Sequence, residues 1–240
     1  TISNATANGS VLAHLDGNVA GVNTLTVQAT ATDISTANST AATGGIFAGS
    51  GSVANATTSP VVRAYTGSGT ISARNAVVVA ATLTPKANAT ALGVSIGALA
   101  VGVSSATARV SPTVDAHVGG NITAASLSVT ATQALPGGAE SANARATGAV
   151  GALIGVTATS ATAINGSVGN QAGVSSYVAN NSVLNITGDT TVFANNNSRQ
   201  RAEGNAAAGG LLAAGVASSN AASNTVTRAY LGSVTLTGSS

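Results

Sequence analysis

The segment Pro112–Thr132, with the sequence PTVDAHVGGNITAASLSVTAT, contains two short motifs that recur along the whole chain. In its first half His117 stands two residues before Gly119, and in its second half Leu127–Thr132 has the form L-x-V-x-A-T. The first motif returns at a ring-bearing residue each time, and the five positions are His14, Tyr65, His117, Tyr177 and Tyr230. They are all the tyrosines and histidines of the chain, and consecutive ones are 51, 52, 60 and 53 residues apart. Such regular spacing indicates a repeat array with a period of roughly 50 residues.

The second motif divides the chain in the same way. It returns as L-T-V-Q-A-T (Leu25–Thr30), V-V-V-A-A-T (Val77–Thr82) and T-T-V-F-A-N (Thr190–Asn195). We therefore predict one continuous array, the end of a longer array being cut off at each terminus. Its parts are a partial repeat at 1–22 and four repeats at 23–74, 75–124, 125–187, with an insertion at 164–173, and 188–240.

The composition does not suit an ordinary globular core. Charged residues make up 6% of the 240-residue chain and aromatic residues 2%, and Cys, Met and Trp are absent. Typical soluble domains have about 25% charged residues. Disorder is the competing interpretation, but disordered chains are usually charged and poorly apolar, whereas the mean hydropathy here is +0.36. Small side chains stacked in register on a β-scaffold fit the composition better.

The second repeat indicates strands. From residue 87 to residue 97 the odd positions hold only Ala, Gly or Ser, while Asn, Thr, Leu, Val and Ile fill the even ones. This period of two is the pattern of a strand with one small-residue face. Glycine recurs every four or five residues, and each one costs roughly 1 kcal/mol in a helix interior. The predicted fold is therefore all-β, a repetitive β-solenoid of about four 50-residue repeats whose strands stack about 4.8 Å apart.

Stacked repeats place equivalent residues in columns. The five ring residues should then form one structural ladder, in the order His14, Tyr65, His117, Tyr177, Tyr230. Two residues before the rings stand Arg63 and Asp115, which would be neighbours in adjacent repeats and could form an ion pair. An exposed pair of this kind contributes only about 0–1 kcal/mol.

The sequence offers no catalytic, cofactor or metal site. Zinc needs three or four ligands around one point, whereas His14 and His117 are two repeats apart without clustered carboxylates or cysteines. No G-x-S-x-G nucleophile motif appears in a strand-to-helix setting, and no glycine-rich segment has the G-K-[ST] ending of a phosphate loop. The net charge of +2 comes from scattered residues, so no basic stripe predicts nucleic-acid binding. We predict a protein that is not an enzyme and binds no cofactor and no nucleic acid.

Each repeat contains a glycine-punctuated apolar centre, at 44–49, 92–103, 148–156 and 209–217. These runs are shorter than the about 20 residues of a membrane-spanning helix, which predicts that they are not transmembrane segments. If they are hairpin tips, they form an exposed apolar ridge that marks an interaction site. If they lie inside the coil, they are core or a contact between protomers, which we favour.

The recurring unit resembles a known group of proteins. The residues that carry the likeness are Leu127–Thr132, Gly93–Val103 and Ser111–Ala124, and the third repeat departs from it by lacking the S-P-T step. They resemble the repeats of large secreted bacterial exoproteins of the leukotoxin and filamentous-haemagglutinin-like adhesin group. The resemblance implies a long exported β-solenoid that acts as a stalk, adhesin or surface fibre, and it implies no catalytic residues.

We therefore expect a structural repeat segment of an extracellular or cell-surface bacterial protein that forms filaments. Its predicted partner is itself, in a fibre or longer array. One alternative is an adhesin module that binds a host or surface glycan. A second is an ice-binding solenoid, because threonines recur in pairs such as Thr30 and Thr32, although Thr is also a routine strand residue.

Overall fold

The computed structural model describes residues 1–166 and 172–238, and this part of the chain is all-β. Strands account for 81% of it and helices for none. The strands of the described residues are β1 (Ile2–Ala7), β2 (Ser10–Leu15), β3 (Val19–Thr58), β4 (Val61–Thr66), β5 (Thr70–Val110), β6 (Thr113–Val118), β7 (Asn121–Ala124), β8 (Ser126–Gln133), β9 (Ala142–Asn165), β10 (Ala172–Val178), β11 (Val183–Ile186), β12 (Thr190–Asn196), β13 (Gln200–Gly209), β14 (Leu212–Ser223), β15 (Thr225–Leu231) and β16 (Thr235–Leu236).

The strands form two parallel sheets. The larger sheet has eleven strands, with β1, β3, β5, β7, β11 and β16 in its main path and β8, β9, β12, β13 and β14 paired alongside. The smaller sheet has five strands in the order β2, β4, β6, β10, β15. Each pairing within the described residues is parallel.

Paired residues are far apart in the sequence, by steps of 50 to 63 residues. Val27 of β3 lies opposite Val79 of β5, and Val79 lies opposite Val129 of β8. The same motif position therefore recurs from strand to strand, and side chains of equal size stack in columns. A register slip of one residue would turn every buried side chain to the outside, so this alternation strongly specifies the register.

The two sheets enclose a hydrophobic core between them, and we call the region around this core the body. From the smaller sheet Val62 and Val114 point inward, and from the larger sheet Val79, Leu127 and Val129 meet them, all of them at most 1% exposed. Burying a Val or Leu side chain completely contributes about 1.5–3 kcal/mol. Most of the large aliphatic side chains that are fully buried in the described residues thus belong to this one core.

Beyond the body, the long strands β3, β5 and β9 fold back on themselves. The return is marked by hydrogen bonds from Ser95 Oγ to the Val101 carbonyl (3.0 Å) and from Ser52 Oγ to the Ser39 carbonyl (2.8 Å). We call this two-layered region the arm. It comprises residues 35–58, 87–110, 142–165 and 200–223.

The interior of the arm is built almost entirely from alanine. Ala89 and Ala144 of the outgoing layer and Ala106 of the return layer are at most 1% exposed and belong to one cluster. A Cβ atom on Gly93 would lie 2.6 Å from Ser104 Oγ of the opposite layer. The two layers are therefore so close that small residues, mainly Ala, Gly and Ser, fill most of the space between them.

Strands reach into both ends of the predicted insertion at 164–173. Ile164 and Asn165 belong to β9, and Ile164 lies opposite Arg109. Gly173 belongs to β10 and pairs with Thr113, while residues 167–171 lie outside the described residues. Parallel pairing thus extends further toward the insertion from both sides than the loop-like composition indicated.

The described residues include no helix that is long and apolar enough to span a membrane.

Candidate functional site

The smaller sheet brings the five ring residues into one column. Its strands pair so that His14 lies opposite Tyr65, Tyr65 opposite His117, His117 opposite Tyr177, and Tyr177 opposite Tyr230. In a parallel in-register sheet, paired residues point to the same face at about the strand spacing of 4.8 Å. The rings therefore stack because their spacing along the chain matches the pairing.

The stacking geometry is regular along the column. Ring centroids are 5.4, 4.8, 4.7 and 5.0 Å apart in chain order, and the interplanar angles are 19°, 2°, 9° and 3°. Aromatic pairs at such separations contribute about 0.5–1.5 kcal/mol each beyond their area burial. The column presents ring edges sideways, and its two end rings, those of His14 and Tyr230, each have only one stacked neighbour among the five.

Each histidine of the column has a carboxylate partner. His14 Nδ1 lies 2.8 Å from Asp16 Oδ2, and His117 Nδ1 lies 2.8 Å from Asp115 Oδ2. The second pair is the more buried, with side chains 21% and 16% exposed. Sequence analysis missed both contacts. The available signal was a spacing of two residues, which puts both side chains on one face of a strand.

Arg63 and Asp115 occupy opposite positions on β4 and β6, as adjacent members of one column. The ion pair between them is not among those formed in the described part of the chain. The Asp115 carboxylate instead contacts the imidazole of His117 on its own strand. Asp115 therefore pairs with His117 of its own strand and not with Arg63 of the neighbouring strand.

The electrostatics of the column act on Tyr177. Burial raises the pKa of its phenol above the ordinary value, and the Asp115 carboxylate and Tyr230 add to the rise, while the Arg63 guanidinium opposes it. The phenol therefore stays protonated and can donate a hydrogen bond at neutral pH. Around it a depression of about 430 Å³ is lined by Arg63, Asp115, His117 and other residues of the column.

An inter-strand ion pair that the sequence analysis did not predict lies on the arm. Arg145 and Glu203 are opposite each other on β9 and β13, and Arg145 Nη2 is 3.5 Å from Glu203 Oε1. The Asn205 side-chain hydrogen bond is the main cause that lowers the pKa of Glu203, followed by the charges of Arg145 and Arg201. Pairing between repeats could have revealed this contact, because the two residues share a motif position.

The apolar centres lie at the far end of the arm, where the chain turns back. Their small residues face inward, with Ala48, Ala100 and Val150 in a small cluster. Their large residues face outward and form a surface that we call the tip ridge. It consists of Ile46, Phe47, Leu99, Leu153, Ile154, Leu211 and Leu212. The sequence left open whether these segments are an exposed ridge or core. In the structure their small residues belong to the core and their large residues form the exposed ridge.

The ring column and the tip ridge present groups that can bind a ligand or a partner. No group of three or more His, Cys, Asp or Glu side chains able to hold a metal ion occurs in residues 1–166 and 172–238. The column offers ring edges, a phenol, a guanidinium and two His–Asp pairs, and the tip ridge offers aliphatic surface. The chain matches no protein family, no curated protein and no solved structure.

Proposed function

We propose that this chain is a β-solenoid segment of an extracellular, filament-forming bacterial surface protein, related to the leukotoxin and filamentous-haemagglutinin-like adhesins. Its role is mechanical and architectural, and no reaction is assigned to it. The observation that carries the proposal is the ring column, in which five positions about 50 residues apart stack in one line. A chain that repeats one cross-section in this way is suited to building a fibre.

Five layers of the smaller sheet lie along the proposed fibre axis. At about 4.8 Å each they give a thickness on the order of 24 Å. Further layers pair with the outer strands β2 and β15 of this sheet, and a second copy can supply them. Outer strands present unpaired backbone groups and are templates for further pairing.

Electron microscopy of the purified chain at increasing concentration tests the proposal. Filaments or stacks of constant width and variable length are expected, because the cross-section sets the width and the number of copies sets the length. Compact particles of one size at every concentration would contradict stacking between copies. Antibody labelling of intact source cells tests the surface location, and labelling only after lysis would contradict it.

The depression beside the ring column supports a second candidate, an adhesin module for a glycan. Arg63, Asp115 and Ser175 line it together with rings of the column, and such polar groups beside aromatic edges can hydrogen-bond sugar hydroxyls. A glycan array probed with the wild-type chain and with Arg63→Ala tests this candidate. Binding that the substitution removes supports it, and no binding to any glycan contradicts it.

A further inference from the structure

The tip ridge exposes large aliphatic and aromatic side chains to an unusual degree. Phe47 is 77% exposed and Leu211 is 81% exposed, although both belong to very apolar segments. The exposure recurs in each layer of the arm. Phe47 lies opposite Leu99, Leu99 opposite Ile154, and Ile154 opposite Leu212. One column of large apolar side chains therefore runs about 14 Å across the tips of four layers at the usual strand spacing.

The ridge carries no charge. In β5 the nearest charged residues are Lys86 and Arg109, each ten or more residues from Leu99. In the first layer of the arm the nearest charged residues are Asp33 of β3, before the arm, and Arg63 of β4, after it. A partner bound through salt bridges or an anionic surface would find no complementary group here. An apolar, uncharged surface is complementary to another of its own kind.

The large side chains cannot turn inward. A Cβ atom on Gly93 would lie 2.6 Å from Ser104 Oγ of the opposite layer, and Ser95 Oγ bonds Ser50 Oγ at 2.7 Å across the interior. The alanine-lined arm has no room for a Leu or Phe between its layers. The exposure of the ridge is therefore fixed by the backbone.

The exposed apolar area is large enough for a stable interface. The ridge continues onto both faces of the arm through Ile96, Val101, Val103, Val156 and Val216, which are 46–64% exposed. The seven residues of the tip ridge itself are 40–81% exposed, and at about 150 Å² for a fully exposed large side chain they present on the order of 700 Å². Single patches on monomers are typically about 300–600 Å², and a standard interface buries about 800 Å² on each partner.

We propose that the tip ridge is a lateral interface that packs against the same ridge of a second copy, so that two chains meet arm tip to arm tip. The contact is two-fold symmetric, the commonest arrangement of homodimers. With the two-fold axis perpendicular to the column, Phe47 of one protomer lies opposite Leu212 of the other, and Leu99 lies opposite Ile154. This contact extends the proposed stacking, because it joins copies side by side rather than end to end.

Sedimentation equilibrium over a range of concentrations tests the interface. The wild type is expected to dimerise, and the variant Phe47→Ser/Leu99→Ser/Ile154→Ser/Leu212→Ser is expected to dimerise at least about tenfold more weakly. Phe193→Ser is the matched control, because Phe193 is 50% exposed but belongs to β12, outside the arm. A monomeric wild type, or equal dimerisation of the ridge variant, overturns the proposal.

Cross-linking provides a second measurement on a chain with only one substitution. The protein has no cysteine, so Ala98→Cys introduces a single thiol at the turn of the arm and Ser68→Cys introduces one in the turn between β4 and β5. A short thiol cross-linker is expected to join copies through residue 98 and not through residue 68. End-to-end stacking separates equivalent residues by on the order of 24 Å, so stacking alone produces neither product.

A lipid surface is the competing occupant of the ridge. Flotation with neutral phosphatidylcholine vesicles separates the two. A wild-type chain that stays monomeric, floats with the vesicles and stops floating in the ridge variant overturns the dimer and assigns the ridge to a bilayer. Cross-linking at residue 68 but not at residue 98 also overturns it, while leaving the stacking proposal to be judged by microscopy.

Discussion

At the scale of single residues, a side chain in this protein is positioned by its counterparts in neighbouring layers more than by its sequence neighbours. His117 is held between Tyr65 and Tyr177, with centroid distances of 4.8 and 4.7 Å. Its polar contact with Asp115 comes from the same strand. The ring is therefore fixed along the column by stacking and across it by a hydrogen bond.

Tyr177 should make stability depend on pH at the alkaline end. Its pKa is raised above the ordinary value of about 10, so the folded chain keeps the phenol proton when the unfolded chain loses it. The contribution of this phenol to the free energy of unfolding is fully present below about pH 10, and it is lost as the pH rises through the pKa of the folded state. Tyr177→Phe should lose less stability over this range, as measured by urea unfolding. Tyr65 and Tyr230 are present in both proteins, and equal pH dependence would contradict the prediction.

Gln133 is a buried polar residue whose loss of hydration is not offset by side-chain hydrogen bonds in the described residues. It is fully buried, and neither amide atom has a hydrogen-bond partner among the described residues. Leu83 occupies the opposite position on β5. Gln133→Leu should stabilise the chain by about 1–3 kcal/mol, because an unsatisfied buried group costs about that much. A higher urea midpoint is expected, and Gln28→Leu on the exposed face is the control; an unchanged or lower midpoint would count against it.

At the scale of elements, the chain uses two packing modes with one strand pattern. In the body, Val, Leu and Ile fill the space between the sheets, and in the arm Ala and Gly bring two layers into close contact. Along β5 the buried side chains change from large in the body to small in the arm, so the two layers are farther apart in the body than in the arm. Large residues in the arm segments are left only the outer faces and the tip.

Enlarging an interior residue of the arm should therefore be costly. Ala89→Val should destabilise the chain by about 1–3 kcal/mol, because Ala89 is 0% exposed in a layer that has no free space. Thr90→Val is the matched control on the outward face of the same strand, where substitutions usually change stability by at most about 0.5 kcal/mol. Urea unfolding followed by circular dichroism measures both. Equal midpoints for the two variants would show that the layers are not closely packed.

At the scale of the whole molecule, each face has a different character. One side of the body carries the ring column, the arm ends in an apolar ridge, and the two ends along the stacking direction present outer strands. In the proposed assembly, stacking extends the structure through its ends, and the tip ridge joins copies sideways. The two contacts use different chemistry, backbone pairing in one case and apolar burial in the other.

The end ring offers a test of stacking between copies. Tyr230 is 46% exposed and stacks on Tyr177 from one side. Tyr230→Asp should shorten or abolish filaments, because a carboxylate would be buried against the His14 end of the next copy, whereas Tyr230→Phe should keep them. Filament length in electron micrographs is the measurement. Filaments of wild-type length in the Asp variant would show that growth does not pass through this end.

Much of this architecture was predictable from local pattern. The alternation between residues 87 and 97 predicted strands, which the all-β structure confirms. Two features were not predictable in the same way. Predicting the His14–Asp16 contact requires knowing that residues two apart lie on the same face of a strand. Predicting the Arg145–Glu203 pair requires the register between the third and fourth repeats, and the predicted insertion at 164–173 obscures that register.

The sequence by itself determined strand formation, the absence of a bulky core throughout most of the chain and the spacing of the rings, because these depend on side-chain size, period and composition. Only the tertiary structure decided where each strand folds back, which apolar residues are buried and which form the tip ridge. The reason is that a period of two assigns residues to two faces without saying which face is covered. Coverage depends on the partner layer, and that layer comes from residues far away in the chain.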